Sequence, residues 1–331
     1  MKSNFIYILV AIAIVTFFLI QQSENNTSHE SMENSTHSSN TPIHFIDFYN
    51  LYYALLSKEL IGNPPEKDKI KDILSKVKIG DLIRDNDTTN LVNIWYYVEI
   101  SKQYDHDLKF QKEIINYLKD YQLNEGPFVL DLNDKRKIDT QNPNDNMSII
   151  LPTVMTIDIF KSFKEPIPKI DSINTWLLNT LKENSNITEN TEEQEGSYLY
   201  MLLDLAEKLG LEEKINFNDY IKNYNSNFEN NANLSLERID TFFNLNELKN
   251  IESYQNIFND KTAYEYIRSL QLENGSFKFE GSEPDILATY LSIKNINRLN
   301  KEVPSKDNTN GYLEEVIEDS LPNQNERSIE Y

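Results

Sequence analysis

From His44 onward, apolar residues recur every three or four positions in one segment after another, the spacing that gathers them on one face of a helix. The pattern predicts helices over residues 45–60, 67–76, 91–103, 110–121, 147–163, 173–183, 196–209, 218–224, 236–245, 248–258, 261–270 and 286–299, joined by short polar connections. Strand-type alternation is brief, and residues 275–280 come closest to it. The expected fold class is all-α. Residues 182–194 are acidic and polar and read as a solvated loop between two helices.

The two ends of the chain differ from this texture. Residues 5–20 are uncharged and mostly apolar, close to the roughly 20 residues a helix needs to cross a bilayer. Lys2 precedes them and no positive charge follows until Lys58, which places the rest of the chain outside the cytoplasm. The stretch 18–22 lacks the small residues a cleavage site needs, so residues 1–22 read as an uncleaved signal anchor, with secretion after cleavage as the alternative. Residues 23–43 carry Ser, Thr, Asn, Glu and His without apolar periodicity and form a disordered polar linker. The helical domain occupies 44–300, and 301–331 is an acidic, partly disordered tail with a short helix over 312–321.

Composition narrows the chemistry. A net charge of -21 repels nucleic acid and anionic lipid headgroups, so the expected partners are the membrane through the N-terminal helix alone and an envelope protein or glycan. There is no cysteine, and three of the four histidines (His29, His37, His44) lie in or beside the linker, so neither a metal site nor a cofactor is expected. The abundance of Asn, Lys and Ile fits an AT-rich genome, such as that of a low-GC Gram-positive bacterium.

One segment occurs twice: Gln122-Leu-Asn-Glu-Gly126-Pro-Phe128 and, 149 positions later, Gln271-Leu-Glu-Asn-Gly275-Ser-Phe277. Each copy follows an amphipathic stretch and precedes a second apolar one, Thr153-Val-Met-Thr-Ile157 or Thr289-Tyr-Leu-Ser-Ile293, with 13 extra residues in the first copy. The unit is a helix, a glycine-dependent turn, and an aromatic that returns the chain to the interior. Repeats of helical pairs imply a stacked or closed array.

The spacing of Gln, Gly and the aromatic resembles the repeat of the squalene/terpenoid cyclase and protein prenyltransferase superfamily, with Phe where that family usually has Trp. Glu283-Pro-Asp285-Ile-Leu-Ala-Thr289-Tyr290 is similar to the run that opens an inner helix in prenyltransferase β-subunits. The resemblance implies an α/α toroid, an inner ring of helices within an outer one. The family's chemistry does not follow: thiol prenylation needs a cysteine in its zinc site, and the aspartate-rich cyclase motif has only a loop-like echo at Asp85-Asn-Asp87.

Asp285 matches a family position where an acid faces the cavity, which makes it the candidate catalytic residue, an acid or base if the chain acts on glycans, with Glu283 and Tyr290 as candidate ligand contacts. The same residues, Ser282-Glu-Pro-Asp285, also read as a helix N-cap with acids on the helix dipole. The first copy has Ile149 where the second has Asp285. Asp131 or Asp134 could supply a second carboxylate, while Tyr96, Tyr97, Tyr198 and Tyr200 either line a sugar-binding cavity or belong to the core. The resulting expectation is a non-catalytic binding module, with a cell-envelope glycoside hydrolase or lyase using Asp285 as the alternative.

Overall fold

The computed structural model describes residues 46–84, 87–140, 142–183, 193–230, 234–248 and 259–321. These residues are all-α, with thirteen α-helices, two 3-10 turns (Asp134–Arg136 and Glu212–Lys214), isolated β-bridges and no β-strand. Six helices are buried around nearly their whole circumference: α1 (Phe48–Leu60), α4 (Asn90–Gln103), α6 (Pro143–Ser162), α8 (Glu193–Lys208), α10 (Leu236–Leu248) and α12 (Ile286–Arg298). In α6 every residue from 149 to 160 is buried, the signature of a helix enclosed by others.

Between them lie amphipathic helices that bury a single stripe: α2 (Lys67–Ser75), α5 (Gln111–Asp120), α7 (Ile170–Glu183), α9 (Phe217–Asn230) and α11 (Asp260–Ser269), with α13 (Lys306–Asp319) at the end and a short α3 (Ile79–Leu82) before α4. Ile70 and Leu74, Ile173 and Leu177, and Leu313 and Ile317 show the one-turn spacing of those stripes. The buried helices touch in a cycle: α1 on α4, then α6, α8, α10 and α12, which packs back on α1. Helix α13 also packs on α1.

Five of the six buried helices share one way of ending. Gly62, Asp105, Lys164, Gly210 and Asn300 follow α1, α4, α6, α8 and α12 with positive φ. Each donates its N–H three residues back, and the next residue donates five back, as in Asn300 to Asn297 O and Lys301 to Ile296 O. This is the Schellman arrangement, which satisfies carbonyls a helix would otherwise leave bare.

The twin segments superimpose in their bonding. Gln122 Nε2 donates to Gly126 O (2.8 Å) and Pro168 O (2.7 Å), and Gln271 Nε2 donates to Gly275 O (3.4 Å) and Pro304 O (2.7 Å). Phe128 N donates to Thr153 Oγ1 and Phe277 N to Thr289 Oγ1, both at 2.9 Å. The glutamine thus ties its own turn to the start of the next amphipathic helix, and the threonine ties the returning chain to the buried one.

Several boundaries differ from the sequence pattern. Helix α13 starts at Lys306, within the stretch read as tail, because Thr309, Leu313 and Ile317 bury a stripe that a tail would not have. Helix α9 runs to Asn230, beyond the expected 224, and α6 begins at Pro143, before the expected 147. The expected anchor at 5–20, the linker, most of the 248–258 helix, the core of the 182–194 loop and the end of the tail lie outside the described residues. Among the described residues, no helix is long and apolar enough to cross a membrane.

Candidate functional site

Asp285 is the N-cap of α12. Its Oδ1 accepts from Leu287 N (2.7 Å) and Ala288 N (3.0 Å), answering two of the N–H groups a helix start leaves unpaired. Tyr49 and Tyr312 stand near it, and both phenols are raised in pKa, by burial first and by the Asp285 charge second. Ile149, its counterpart in the first copy, is fully buried inside α6, which starts six residues earlier. The acid is present in one copy because only that copy begins a helix at this point.

Glu283 is exposed on the turn before α12. Tyr290 is 3% exposed, with its ring 5.5 Å from that of Tyr53 and Lys294 Nζ over its face. Asp131 accepts from Asn133 N, and Asp134 pairs with Lys137 across the 3-10 turn; among the described residues neither hydrogen-bonds to Asp285.

The aromatic residues of α1, α4 and α12 pack on one another. Tyr52 lies 5.0 Å from Tyr53, 5.0 Å from Tyr96 and 5.4 Å from Trp95, ring centre to ring centre. Tyr52, Tyr53, Trp95 and Tyr96 have no surface that a water molecule reaches. A cavity large enough for a ligand would leave its lining side chains touched by water, so Tyr52, Tyr53 and Trp95 are packing rather than lining, while Tyr96 backs the wall of a concavity on the outside. Tyr97 is likewise enclosed, and its hydroxyl accepts from Lys109 N.

Charge is buried between the same helices. Lys208 (α8) donates to Asp158 (α6) at 2.7 Å and stands 3.3 Å from Asp204, one turn back. Burial alone would lower the lysine, but Asp158 and Asp204 outweigh it and raise it. Asp204 has the weaker share: burial pushes its carboxyl up to about 7 against the pull of Lys208. Glu99 (α4), also raised by burial, pairs with the more exposed Lys102 at 2.6 Å.

On α10 and α12, Asp240 Oδ1 meets both Lys294 Nζ and Arg298 Nη1 at 2.9 Å, while Arg298 Nη2 reaches Asn244 and Glu247 at 2.6 Å. Burial would raise Asp240, but the two cations hold it below the usual carboxylate range. Lys294, buried and beside Arg298, is lowered to about 7 despite Asp240. Tyr200 feels charges from both groups, Arg298 and Asp240 on one side and Lys208 on the other. Sequence reasoning missed these residues, although charges inside apolar runs, as in Ile157-Asp-Ile159 and Ile293-Lys-Asn-Ile296, are the signal that marks them.

Among the described residues, two concavities stand out on the outside. One, of about 320 Å³, lies at the starts of α1 and α4 and is lined by Asp47, Tyr49, Arg84, Thr89, Asn93 and Tyr96 among others. The other, of about 670 Å³, follows one face of α7 and is lined by Glu125, Thr140, Asp171, Thr175, Trp176, Asn179 and Glu183 with their neighbours. Its floor is fixed by Trp176 Nε1 donating to Asn146 Oδ1 at 2.9 Å. Among the described residues, no three His, Asp or Glu side chains are grouped as metal ligands. No protein-family model and no curated protein matches the chain.

Proposed function

We propose that this chain is an α/α toroid of the terpenoid cyclase and prenyltransferase type, anchored in the membrane by residues 5–20 with its helical domain outside the cytoplasm, and that it acts as a binding or interaction module without chemistry of its own. The cycle of contacts among the six buried helices supports the toroid, and the apolar run before the linker supports the anchor. The observation that carries the non-catalytic reading is the packing between α1 and α4, where Tyr52, Tyr53, Trp95 and Tyr96 have no accessible surface, together with the pairing of the buried charges of α6, α8, α10 and α12 with one another. An isoprenoid cyclase needs an apolar chamber at that place, and a hydrolase needs two reachable carboxylates. Ligand contact then falls to the outer surface, where the α7 groove is the larger of the two concavities described.

A cell-envelope glycoside hydrolase or lyase using Asp285 is the second reading. It is favoured by one detail: among the described residues the cap bonds use only Oδ1, and Tyr49 and Tyr312 lie near enough to feel the carboxylate's charge. The test uses the full chain in detergent, with saturable binding to envelope glycans and envelope proteins measured beside release of glycan fragments. Saturable binding without product supports the module. Product release that Asp285→Asn abolishes overturns it.

A further inference from the structure

Lys58, in the last turn of α1, is 4% exposed, and its charged end is answered by α13. Its Nζ donates to Asn310 Oδ1 at 2.5 Å and to Glu314 Oε1 at 2.9 Å. The amide of Asn310 is held from both sides: Oδ1 accepts a second bond from Asn63 Nδ2 at 2.6 Å, and Nδ2 donates to Glu314 Oε1 at 3.1 Å. One carboxylate oxygen therefore touches both the amine and the nitrogen of the neighbouring amide, while a separate donor sits on the carbonyl oxygen. A salt bridge needs only Lys58 and Glu314; the other two side chains supply what an acyl transfer requires.

We propose that these four side chains form an amide cross-link between Lys58 and Asn310. Lys58 Nζ gives its first proton to water by way of the exposed Glu314 carboxylate, and the free amine adds through Nζ to Asn310 Cγ. Asn63 Nδ2 stabilises the negative oxygen that develops on the amide, in the manner of an oxyanion donor. Glu314 takes the second proton from Nζ and delivers it to Asn310 Nδ2, which leaves as ammonia. One C–N bond forms and one breaks, the carboxylate is regenerated, and no oxidant or cofactor is consumed. The hydrogen bond and charge of Lys58 hold Glu314 below the usual carboxylate range, so it starts ionised, and it regains its basicity once the lysine has given up its charge. Fixing the amine against the amide makes the reaction intramolecular, which replaces a very high concentration of free amine. The side chain of Glu314 is 58% exposed, giving ammonia a way out to water.

The product joins positions 252 residues apart in the chain and ties α1 to α13. A chain without cysteine has no disulfide to make such a closure, and a covalent tie over so long a loop acts chiefly on the unfolded state.

The full chain, extracted in detergent, unfolded and digested with trypsin, decides the matter by mass spectrometry of its peptides. The expected result is a branched peptide carrying Lys58 and Asn310, about 17 Da lighter than its two components through loss of ammonia. Lys58→Arg, which keeps the charge, and Glu314→Gln, at an exposed side chain, are each expected to return two separate peptides. Cleavage after Lys58 in the unaltered protein, with both peptides at their sequence masses, overturns the cross-link. A branched peptide that persists in Glu314→Gln overturns the role of the carboxylate.

Discussion

Gly275 faces the backbone of Thr309 so closely that a β-carbon on it would lie 2.1 Å from the Thr309 nitrogen. Gly126 meets Ile173 N in the same way, at 2.6 Å, in the other copy of the repeat. The glycine therefore serves two needs at once: a φ of +87° in the turn and contact with the helix that follows. Replacing Gly275 by alanine is expected to cost roughly 3–5 kcal/mol, since the turn and the α13 start must both shift. Gly281, with φ +75° and open space around it, is the control, and its alanine variant is expected to lose only about 1 kcal/mol. Urea unfolding of both variants compares them, and equal losses would rule out the close approach.

The twin segment was legible in sequence because glutamine, glycine and the aromatic each do a job no other residue does as well there. Its partners were not: Pro168 and Pro304 lie 46 and 33 positions from the glutamines they bond, and a carbonyl acceptor leaves no mark on residue type. The Schellman ends were hidden for a related reason, since Asp105 and Lys164 hold positive φ where glycine would have announced it. Helix α13 was obscured by acidic residues on its exposed face, although Leu313 and Ile317 carry its stripe. At Asp285 both readings were visible, and the difference from Ile149 was not, because it follows from the length of α6, which has no start at Ile149 and needs no cap there.

Capping makes a prediction that catalysis does not. Asparagine keeps an acceptor oxygen at the cap, so Asp285→Asn is expected to stay within about 0.5 kcal/mol of the parent, whereas Asp285→Ala loses roughly 1–2 kcal/mol. Chemical unfolding measures both, with glycan or protein binding followed in parallel. Under the module reading neither variant changes binding once the protein is folded.

Asp204 makes stability depend on pH. Its carboxyl rises from 3.8 to about 7 in the folded chain, so between those values the fold keeps a proton that the unfolded chain has released. The contribution is whole below about pH 4 and is lost as pH climbs to about 7, a change of roughly 4 kcal/mol. Asp204→Asn removes this slope. Unfolding free energies at intervals from pH 4 to 8 are expected to fall more steeply for the parent, with the variant the more stable at pH 8. Parallel curves would mean that Lys208 serves Asp204 as fully as it serves Asp158.

The two cations on Asp240 are unequal. Arg298 meets the carboxylate at 2.9 Å and is held in place by Asn244 and Glu247, while Lys294 is lowered from 10.5 to about 7 by burial and by Arg298 itself. Its folded value lies below its unfolded one, so its contribution is whole above about pH 10.5 and is lost as pH falls through about 7. At pH 6 the lysine is charged in a place that resists charge. Lys294→Met fills a similar volume and leaves Asp240 bonded to Arg298 and to Asn244 Nδ2 at 2.8 Å, so no charge is stranded. At pH 6 this variant is expected to match or exceed the parent by about 1–3 kcal/mol, whereas Asp240→Asn strands two cations and loses roughly 3–5 kcal/mol. Urea unfolding at pH 6 and pH 9 tests the pair, because the advantage of Lys294→Met must shrink as the lysine sheds its proton. A loss in Lys294→Met as large as that in Asp240→Asn would make the lysine, not the arginine, the partner that holds the carboxylate.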